Sequence, residues 1–415
     1  NVGEVLKSVP GVTIGLGGLG AAYTIGLNGV PAENVPVTIG GFTLANAASG
    51  TGRAAGVNQI SINNTARVEV VYTPTPETTG SALAGSVNLV PRSAFERTRT
   101  LINVSAALMF RDDERTLAAT PGPQGKFTHK ANPQLDVAAI VPLGPRLGFT
   151  FSASTLRVFA PQDFSQLTWR GAGAATNGGT LPDTTPDRPY LTDYAVRHTA
   201  ALQERDTWGL TVDAKLTPRD RVSLSYQGGY TVSEQDNRTL TFLVNRVAPG
   251  DFSPAAVRGF TGAGELRLNN QSDTLRDTLH MPSLSYWHDG PDWKLESGFG
   301  FSRSHRRRHD LAEGYFNTAQ ARRTGVTVSF SDIFYLRPGT IAVADAAGRP
   351  VDPYAVATYN LDTAGSNLLD AMDVQRNAFA SVRRDLGTSL PLSLKAGLDA
   401  RQAIKDVRAE RSEEH

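Results

Sequence analysis

Cysteine is absent from this chain of 415 residues. Its absence excludes a disulfide-stapled scaffold and any metal site built from thiolates. Long apolar runs are missing as well, and no stretch approaches the roughly 18 residues of a membrane-spanning helix. An excess of one charge is also lacking, with 41 basic against 40 acidic side chains, so the composition predicts no nucleic-acid partner. Because the chain has neither an initiator methionine nor a signal peptide, we expect an internal fragment of a longer protein.

Residues 67–92 carry the most informative pattern in the sequence. A β-branched run at 68–72 predicts a strand, a Pro-Thr-Pro turn follows at 74–76, and residues 86–90 predict a second strand. Gly80 and Gly85 lie in the small-residue link between them, where glycine permits backbone conformations and close contacts that larger residues block. The pattern therefore predicts a strand, a rigid turn, a small-residue link and a second strand.

This order of residues resembles the end of the plug domain in TonB-dependent outer-membrane receptors. The resemblance implies a plug domain in residues 1–92, with its N-terminal part missing, and a transmembrane barrel in residues 93–415, with its C-terminal part missing. It also implies that Arg67 and Glu69 have a structural role in the plug, through ion pairs. The positions that carry the resemblance are Arg67, Val68, Glu69, Val70, Pro74, Pro76, Gly80, Gly85, Ser86, Val87, Asn88, Leu89, Val90 and Arg92.

The first sixty residues predict short elements of the kind that a small α/β plug needs. Apolar residues at helical spacing predict a helix over residues 1–10, and Pro10 ends it. Residues 4–12 also resemble the opening helix and turn of the plug. Gly15, Gly17 and Gly20 fit a dinucleotide-binding spacing, but no helix follows, so we expect a glycine loop. Short strands are predicted at 23–30, 35–39 and 60–62.

Residues 42–58 predict a polar loop rich in small side chains. By resemblance it is an apical plug loop facing the extracellular vestibule, where ligands first touch the plug. This makes Asn46, Ser49, Thr51 and Arg53 the candidate ligand-binding residues. For each of them a solvated loop without ligand contact is the alternative interpretation.

From residue 101 onward the dominant signal is alternation of apolar and polar side chains, which is typical of strands with one face in an apolar environment. Two of the strands alternate less cleanly: an irregularity at Met281 and Pro282 predicts a bulge, and Arg376 stands among apolar positions. The predicted strands are near 101–110, 135–143, 147–153, 208–216, 222–233, 274–288, 293–301, 374–386 and 390–398.

Short and long connections alternate between these strands, as in transmembrane barrels with short periplasmic turns and long extracellular loops. A soluble sandwich does not require that alternation. Tyr286, Trp287 and Trp293 cluster at one short turn, where an interfacial aromatic girdle is expected. The predicted fold is mainly β: a small α/β plug followed by an incomplete antiparallel transmembrane barrel, with about nine of the 22 strands of plugged transporters. Because an open edge leaves backbone groups unpaired in lipid, we expect this polypeptide alone to be unstable in a membrane.

Three other groups of residues are candidates for binding a ligand or a metal. Arg306, Arg307 and Arg308 form a cationic strand end that could meet lipopolysaccharide phosphates or an anionic ligand, the alternative being a solvated charge run. The flanking His305 and His309 lack the context of a zinc site, so no metal is predicted. Aromatic residues in the first very long connection could stack on a sugar or siderophore, or simply pack the loop: Trp169, Tyr190 and Tyr194.

The function implied by the resemblance is active uptake. An extracellular ligand binds the plug and loops, and TonB pulls on a segment that lies upstream of Asn1. The ligand is a siderophore, cobalamin or an oligosaccharide, and the protein lies in the outer membrane of a Gram-negative bacterium in contact with lipid and lipopolysaccharide. The alternatives are a passive porin and a structural outer-membrane barrel without transport. No residue pattern implies catalysis, and no cofactor is predicted.

Overall fold

The computed structural model describes residues 2–16, 22–50, 52–57, 60, 62–74, 78, 80, 82, 85–110, 117–173, 176–387 and 391–414. Within these residues the chain forms a small N-terminal domain and one large antiparallel sheet. None of the helices in these ranges is long and apolar enough to cross a membrane. The mainly β architecture predicted from the sequence is confirmed.

The N-terminal domain contains one helix and two small sheets. A hairpin of β1 and β2 forms one sheet, and the other has the order β4-β3-β6-β5, in which β3 and β6 run parallel. Short 3-10 helices lie at Ala32–Asn34, Ala47–Ser49, Ile62–Asn64 and Ala94–Glu96. The main elements are α1 Val2–Leu6, β1 Val12–Leu16, β2 Ala22–Leu27, β3 Val37–Ile39, β4 Phe42–Thr43, β5 Thr65–Val71 and β6 Ser86–Pro91.

Three local predictions in this domain need correction. The first helix ends at Leu6 rather than residue 10, because Pro10 disfavours helical backbone at the preceding residue. The strand predicted at 60–62 is wrong, since Ile62–Asn64 is a 3-10 helix and its asparagines favour turns. Gly15, expected in a glycine loop, instead lies in β1 and pairs with Thr24, while Gly17 and Gly20 fall outside the described residues.

The apolar core of the N-terminal domain includes residues of the large sheet. Leu279 and Met281 of that sheet are each 1% exposed and pack among the buried side chains of the domain. Because these two side chains are buried in the same cluster, the N-terminal domain and the large sheet share one core. Burial of apolar side chains is the main favourable term in folding. The domain contributes Leu6, Ile25, Leu27, Val35, Val37, Ile39, Phe42, Leu44, Ala55, Val57, Ile60, Val87 and Leu89.

Fourteen of the described strands form the large sheet, which we call the wall. All nine strands predicted by alternation are present, and several are far longer than expected; the strand β21 runs for 28 residues. Five further strands, β12, β15, β16, β19 and β20, lie in segments predicted as loops. The bounds are β7 Leu101–Met109, β8 Ala119–Pro121, β9 Phe127–His129, β10 Asn132–Pro142, β11 Leu147–Phe159, β12 Gln162–Arg170, β13 Tyr190–Lys215, β14 Asp220–Leu243, β15 Val247–Ser253, β16 Ala256–Gly259, β17 Gly264–Asp289, β18 Trp293–Arg308, β19 Thr318–Phe334, β20 Arg337–Ala344, β21 Asn360–Gly387 and β22 Pro391–Glu414.

The nine predicted strands follow each other in space in the order of the sequence, β7-β10-β11-β13-β14-β17-β18-β21-β22. Strands β8 and β9 form a separate hairpin. Additional short 3-10 helices are found at Pro123–Gly125, Leu311–Glu313 and Val356–Thr358. Since side chains alternate along a strand, the wall has an inner face that contacts the N-terminal domain and an outer face rich in exposed apolar residues.

The bulge predicted at Met281 and Pro282 is wrong. On both sides of Pro282 the strand β17 keeps one register against β18, with His280 opposite Arg303 and Ser283 opposite Gly300. Proline has no N–H to donate, so pairing with β18 is interrupted without an extra residue. The apolar Met281 on the inner face has another cause, because it packs in the core shared with the N-terminal domain.

The aromatic residues at the short turn do not all face the same way. Trp287 lies on the inner face, where its Nε1 donates to Glu296 and the Arg221 guanidinium lies 5.0 Å from its ring centroid. Tyr286 and Trp293 lie on the opposite, outer face by strand alternation. Only these two therefore suit the predicted interfacial girdle.

Candidate functional site

The candidate site is the interface between the N-terminal domain and the inner face of the wall. Its apolar part is built around Phe42 of β4, which is 1% exposed. The Phe42 ring faces Gly298 and Gly300 of β18 and lies 5.6 Å, centroid to centroid, from Phe379 of β21. A Cβ at Gly300 would lie 2.5 Å from Phe42 Cδ1, so glycine is required for this close approach.

Beyond Phe42 the interface is polar. Four successive or nearly successive backbone N–H groups donate to wall side chains, at distances of 2.8–3.1 Å. The donors and acceptors are Thr43 to Asn377 Oδ1, Ala45 to Ser302 Oγ, Asn46 to Asp373 Oδ2 and Ala47 to Ser304 Oγ. The segment is therefore held as in a strand ladder, but by side chains of the wall instead of a neighbouring backbone.

One wall lysine binds the turn that follows this segment. Lys405 Nζ donates to Ser49 Oγ at 2.8 Å, to the Gly52 carbonyl and to the Asn46 carbonyl at 3.4 Å. The carboxylate of Asp373 lies 3.4 Å from the same ammonium and is 3% exposed. The turn is thus held by a wall ammonium that is itself paired with a nearly buried wall carboxylate.

A second polar contact joins the two parts near the short turns. Asp213 of β13 is fully buried and accepts from Ser93 Oγ and from the Ala94 N–H, both at 2.9 Å. Arg221 of β14 supplies the opposite charge, with its Nη2 3.0 Å from the Asp213 carboxylate. A buried carboxylate needs such partners because an unpaired charge is costly away from water.

The four candidate ligand residues have different surroundings. Asn46 is 4% exposed and caps the 3-10 helix Ala47–Ser49, accepting from the Ala48 N–H and donating to the Ala54 carbonyl. Ser49 contacts the wall lysine described above. Thr51 lies outside the described residues.

Arg53 differs from Asn46 and Ser49 because its side chain is exposed. It lines a cavity of about 340 Å³ between the N-terminal domain and strands β21 and β22, together with Glu33, Arg401 and Lys405. Arg401 is held in place by Asp399, at 2.8 Å, and by Thr43. The structure thus brings one predicted ligand residue next to two wall cations that the sequence analysis did not single out.

The motif residues form a network inside the N-terminal domain. Arg67 and Glu69 make the expected ion pair at 2.8 Å, and Asn88 Nδ2 donates to the other Glu69 oxygen at 3.0 Å. The hydrogen bond from Asn88, followed by those from Arg67, holds the pKa of Glu69 below its usual value. Gly85 has a φ of +105°, and a Cβ there would lie 2.1 Å from the Val71 carbonyl oxygen. Gly80 has open space around it, and Pro76 lies outside the described residues.

The arginines predicted to form a surface anion site are mostly turned inward. Arg306 donates twice to Asp277 at 2.6 Å, and Arg308 donates twice to Asp273. Their side chains are only 21% and 14% exposed, so these two are not surface residues. Of the three, only Arg307 is exposed and stays a candidate for a surface contact.

The aromatic residues considered for ligand stacking pack within the wall. Tyr190 and Tyr194 are 0% and 6% exposed and belong to a second apolar cluster, against which Trp169 packs. Packing, the alternative to ligand stacking, therefore describes Trp169, Tyr190 and Tyr194. Among the described residues no group of three or more histidine, aspartate or glutamate side chains is placed to hold a metal ion.

Sequence reasoning missed the wall residues that hold the N-terminal domain. They share one signal, since each is a polar residue on the inner face of β18, β21 or β22, but only Asn377 lies within the bounds predicted for its strand. That signal identifies the face but cannot show which positions lie opposite the N-terminal domain, because the contacts join residues more than 250 positions apart. They are Ser302, Ser304, Asp373, Asn377, Arg401 and Lys405.

Comparison with known proteins identifies the N-terminal domain. Residues 1–87 match the family model described as the TonB-dependent receptor plug domain. The chain carries a TonB-dependent receptor plug. No curated protein sequence matches the chain. The match of residues 1–87 to this plug domain agrees with the resemblance noted for residues 67–92.

Solved structures of siderophore and ferric-catecholate receptors are similar to the chain at low identity. The siderophore receptor PiuA from Acinetobacter baumannii is 13% identical, with 98% of this chain and 59% of that chain covered and a TM-score of 0.31. A mutant of the ferric enterobactin receptor PfeA from Pseudomonas aeruginosa is 12% identical, with coverages of 97% and 69% and a TM-score of 0.36. The ferric-catecholate import receptor Fiu from E. coli is 14% identical, with coverages of 99% and 60% and a TM-score of 0.37. The chain spans about 60% of the length of PiuA and Fiu. The similarity to the plug family rests on the match of residues 1–87 alone.

Proposed function

We propose that the chain is the plug and the N-terminal part of the barrel of an outer-membrane transporter that imports an extracellular ligand with energy from TonB. Residues 1–92 form the plug and residues 93–415 the first part of the barrel wall. TonB acts through a segment upstream of the plug. The outer face of the wall contacts lipid and lipopolysaccharide, and the transporter performs no chemistry on its ligand.

The observation that carries this proposal is the polar contact that holds plug residues 43–47 against the wall. Around Phe42, four plug N–H groups are bound by wall side chains. Water can replace such partners at little net cost, because a hydrogen bond exchanged for one to water changes the free energy by only about 1 kcal/mol. A plug held in this way remains in place at rest and can rearrange when it is pulled.

The ligand-contacting part of the plug is proposed to be the turn at 46–53, with Asn46, Ser49, Thr51 and Arg53. Support comes from Arg53, whose exposed guanidinium lines the cavity at the plug–wall seam. A volume of about 340 Å³ falls in the range of small-molecule sites. Asn46 stabilises the turn rather than binding a ligand through its side chain, since that side chain is buried and hydrogen bonded.

Uptake with and without TonB tests the transport proposal. Cells that express the receptor are given a radiolabelled ferric siderophore, cyanocobalamin or a maltooligosaccharide, in the presence and absence of a functional tonB gene. The expected result is accumulation of one of the three that stops when TonB is removed. Flux that persists without TonB would instead support the passive porin, and absence of uptake for all three would support a structural barrel.

A further inference from the structure

The apical turn of the plug presents three oxygen atoms to one point. The Asn46 carbonyl, the Ser49 hydroxyl and the Gly52 carbonyl all accept from the Lys405 ammonium. An ammonium group has three N–H donors and no acceptor, so the three turn oxygens can each accept one N–H, with Asp373 Oδ2 as a fourth oxygen at 3.4 Å. The match in number is the first indication that this turn is built around a primary ammonium group.

The turn is shaped by its own hydrogen bonds rather than by the lysine alone. Asn46 caps the 3-10 helix through its side chain, and Gly50 follows with a φ of +58°. Ser49 Oγ lies 2.9 Å from both the Asn46 and the Gly52 carbonyl oxygens, and its single O–H can donate to either of them, so the hydroxyl joins the two ends of the turn. These contacts place the three oxygens close together in the turn.

The wall supplies the matching negative charge. Asp373 lies directly opposite Lys405 in the pairing of β21 with β22, and its Oδ2 also accepts the Asn46 N–H at 2.8 Å. Its carboxylate is 3% exposed, while the Lys405 side chain is 20% exposed and borders the cavity at the seam. Removing the lysine would leave a nearly buried carboxylate without its counter-charge, which is strongly unfavourable.

We propose that Asn46, Ser49 and Gly52 form an ammonium-binding site and that Lys405 is its resident occupant, locking the apical turn of the plug to strand β22. The class of ligand for this site is a primary alkylammonium. Lys405 acts as a positioning residue, since it holds the turn that carries Arg53 without being required to touch a transported molecule. The inference concerns how the plug is retained, so it can hold or fail independently of transport.

Hydrogen exchange over residues 44–54 tests the site in the full-length receptor in lipid bilayers. Lys405→Ala is expected to speed exchange of these amides at least tenfold, since charge-assisted hydrogen bonds that hold the turn are lost. Ser49→Ala, which keeps the Lys405–Asp373 pair, is expected to speed it about threefold. The matched control is Arg408→Ala, because Arg408 lies on the same strand with 78% side-chain exposure and on the outer face. It should leave exchange in this segment unchanged.

Chemical rescue separates an ammonium site from general support by a side chain. Ethylammonium added to Lys405→Ala is expected to restore slow exchange, whereas tetramethylammonium, which has no N–H donor, is not. The proposal is overturned if either Lys405→Ala or Ser49→Ala exchanges at the wild-type rate, or if the two cations rescue equally. If Lys405→Ala does not fold, the Ser49→Ala comparison with Arg408→Ala still decides the matter, because a wild-type rate there excludes the site.

Discussion

Asn88 connects three strands of the plug through one amide group. Its Oδ1 accepts from the Thr38 hydroxyl at 2.9 Å and from the Gly41 N–H at 3.0 Å, and its Nδ2 donates to Glu69 at 3.0 Å. An amide has both donors and acceptors, so it can satisfy neighbours of both kinds at once. The position illustrates why a motif residue without any ligand contact can matter to the whole domain.

Asn88→Ala should destabilise the plug by about 2–3 kcal/mol, because three hydrogen bonds are lost and their partners are left partly buried. The opening free energy of the β3 and β6 amides, measured by native-state hydrogen exchange, should fall by that amount. Asn34→Ala is the control, since Asn34 is exposed on a short 3-10 helix, and it should change the value by less than about 0.5 kcal/mol. Equal effects of the two substitutions would contradict the role assigned to Asn88.

The same network predicts a dependence on pH. The pKa of Glu69 is lowered in the folded plug, first by the hydrogen bond from Asn88 and then by Arg67. A lowered pKa contributes stability above the unfolded value of about 4.3, and this stability is lost as the pH falls through the folded pKa. The difference in opening free energy between wild type and Asn88→Ala should therefore be largest near pH 6 and shrink below about pH 4.3. A difference that stays constant, measured by hydrogen exchange of both proteins at each pH, would show that Glu69 does not contribute.

At the scale of the elements, alternation of side chains was sufficient to predict the nine main strands of the wall but not their lengths. Strands β13 and β17 each run for 26 residues and continue into segments predicted as loops. There the inner and outer positions no longer alternate cleanly, because both faces carry polar side chains or pack on neighbouring segments. The same limit explains the bulge wrongly predicted at Met281, whose apolar side chain on the inner face packs on the plug.

The candidate site was predictable only in part, for a related reason. The plug motif at 67–92 depends on residues close in sequence, so its strands and the Arg67–Glu69 pair were visible. The contacts of Asp373 and Lys405 with the turn depend on how β21 and β22 pass the plug. The alternation of apolar and polar residues along a strand does not show which part of the plug that strand packs against.

The packing of β4 against β18 gives a prediction about this relation. Gly300→Ala should destabilise the seated plug by about 1–3 kcal/mol, because the new methyl group would overlap the Phe42 ring, which is itself buried. Since the chain has no native cysteine, labelling of a single cysteine introduced at the buried Val87 reports opening of the plug. Phe299→Leu on the outer face, where Phe299 is 55% exposed, should have little effect on labelling.

A double substitution shows whether the contact itself is responsible. Phe42→Leu removes part of the ring that the Gly300→Ala methyl would meet, so the two changes together should cost less than the sum of their separate effects. Simple additivity would mean that Gly300→Ala acts through β18 alone and would contradict the proposed close packing.

At the scale of the whole molecule, the two faces of the wall suit different surroundings. The inner face holds the plug through buried serines, aspartates and asparagines, while the outer face exposes large apolar residues with nothing of the described chain against them. In water such a surface would favour association, whereas in a bilayer it meets hydrocarbon. The exposed outer residues include Leu210, Leu216, Leu224, Leu284, Phe299, Leu394 and Leu398.

A lipid-facing wall predicts a cost of charge that depends on depth. Leu210 and Leu216 belong to one face of the β13 segment, and six residues of tilted strand separate them by about 15 Å along the membrane normal. Leu210→Lys lies nearer the middle of the bilayer and should destabilise the folded receptor by about 2–4 kcal/mol, whereas Leu216→Lys at the short turn should cost about 0–1 kcal/mol. Urea titrations of the full-length receptor folded in lipid bilayers measure both values. Equal costs would mean that this face does not cross the hydrocarbon. The proposal that residues 93–415 are part of a transmembrane barrel would then fail, even if the plug is intact.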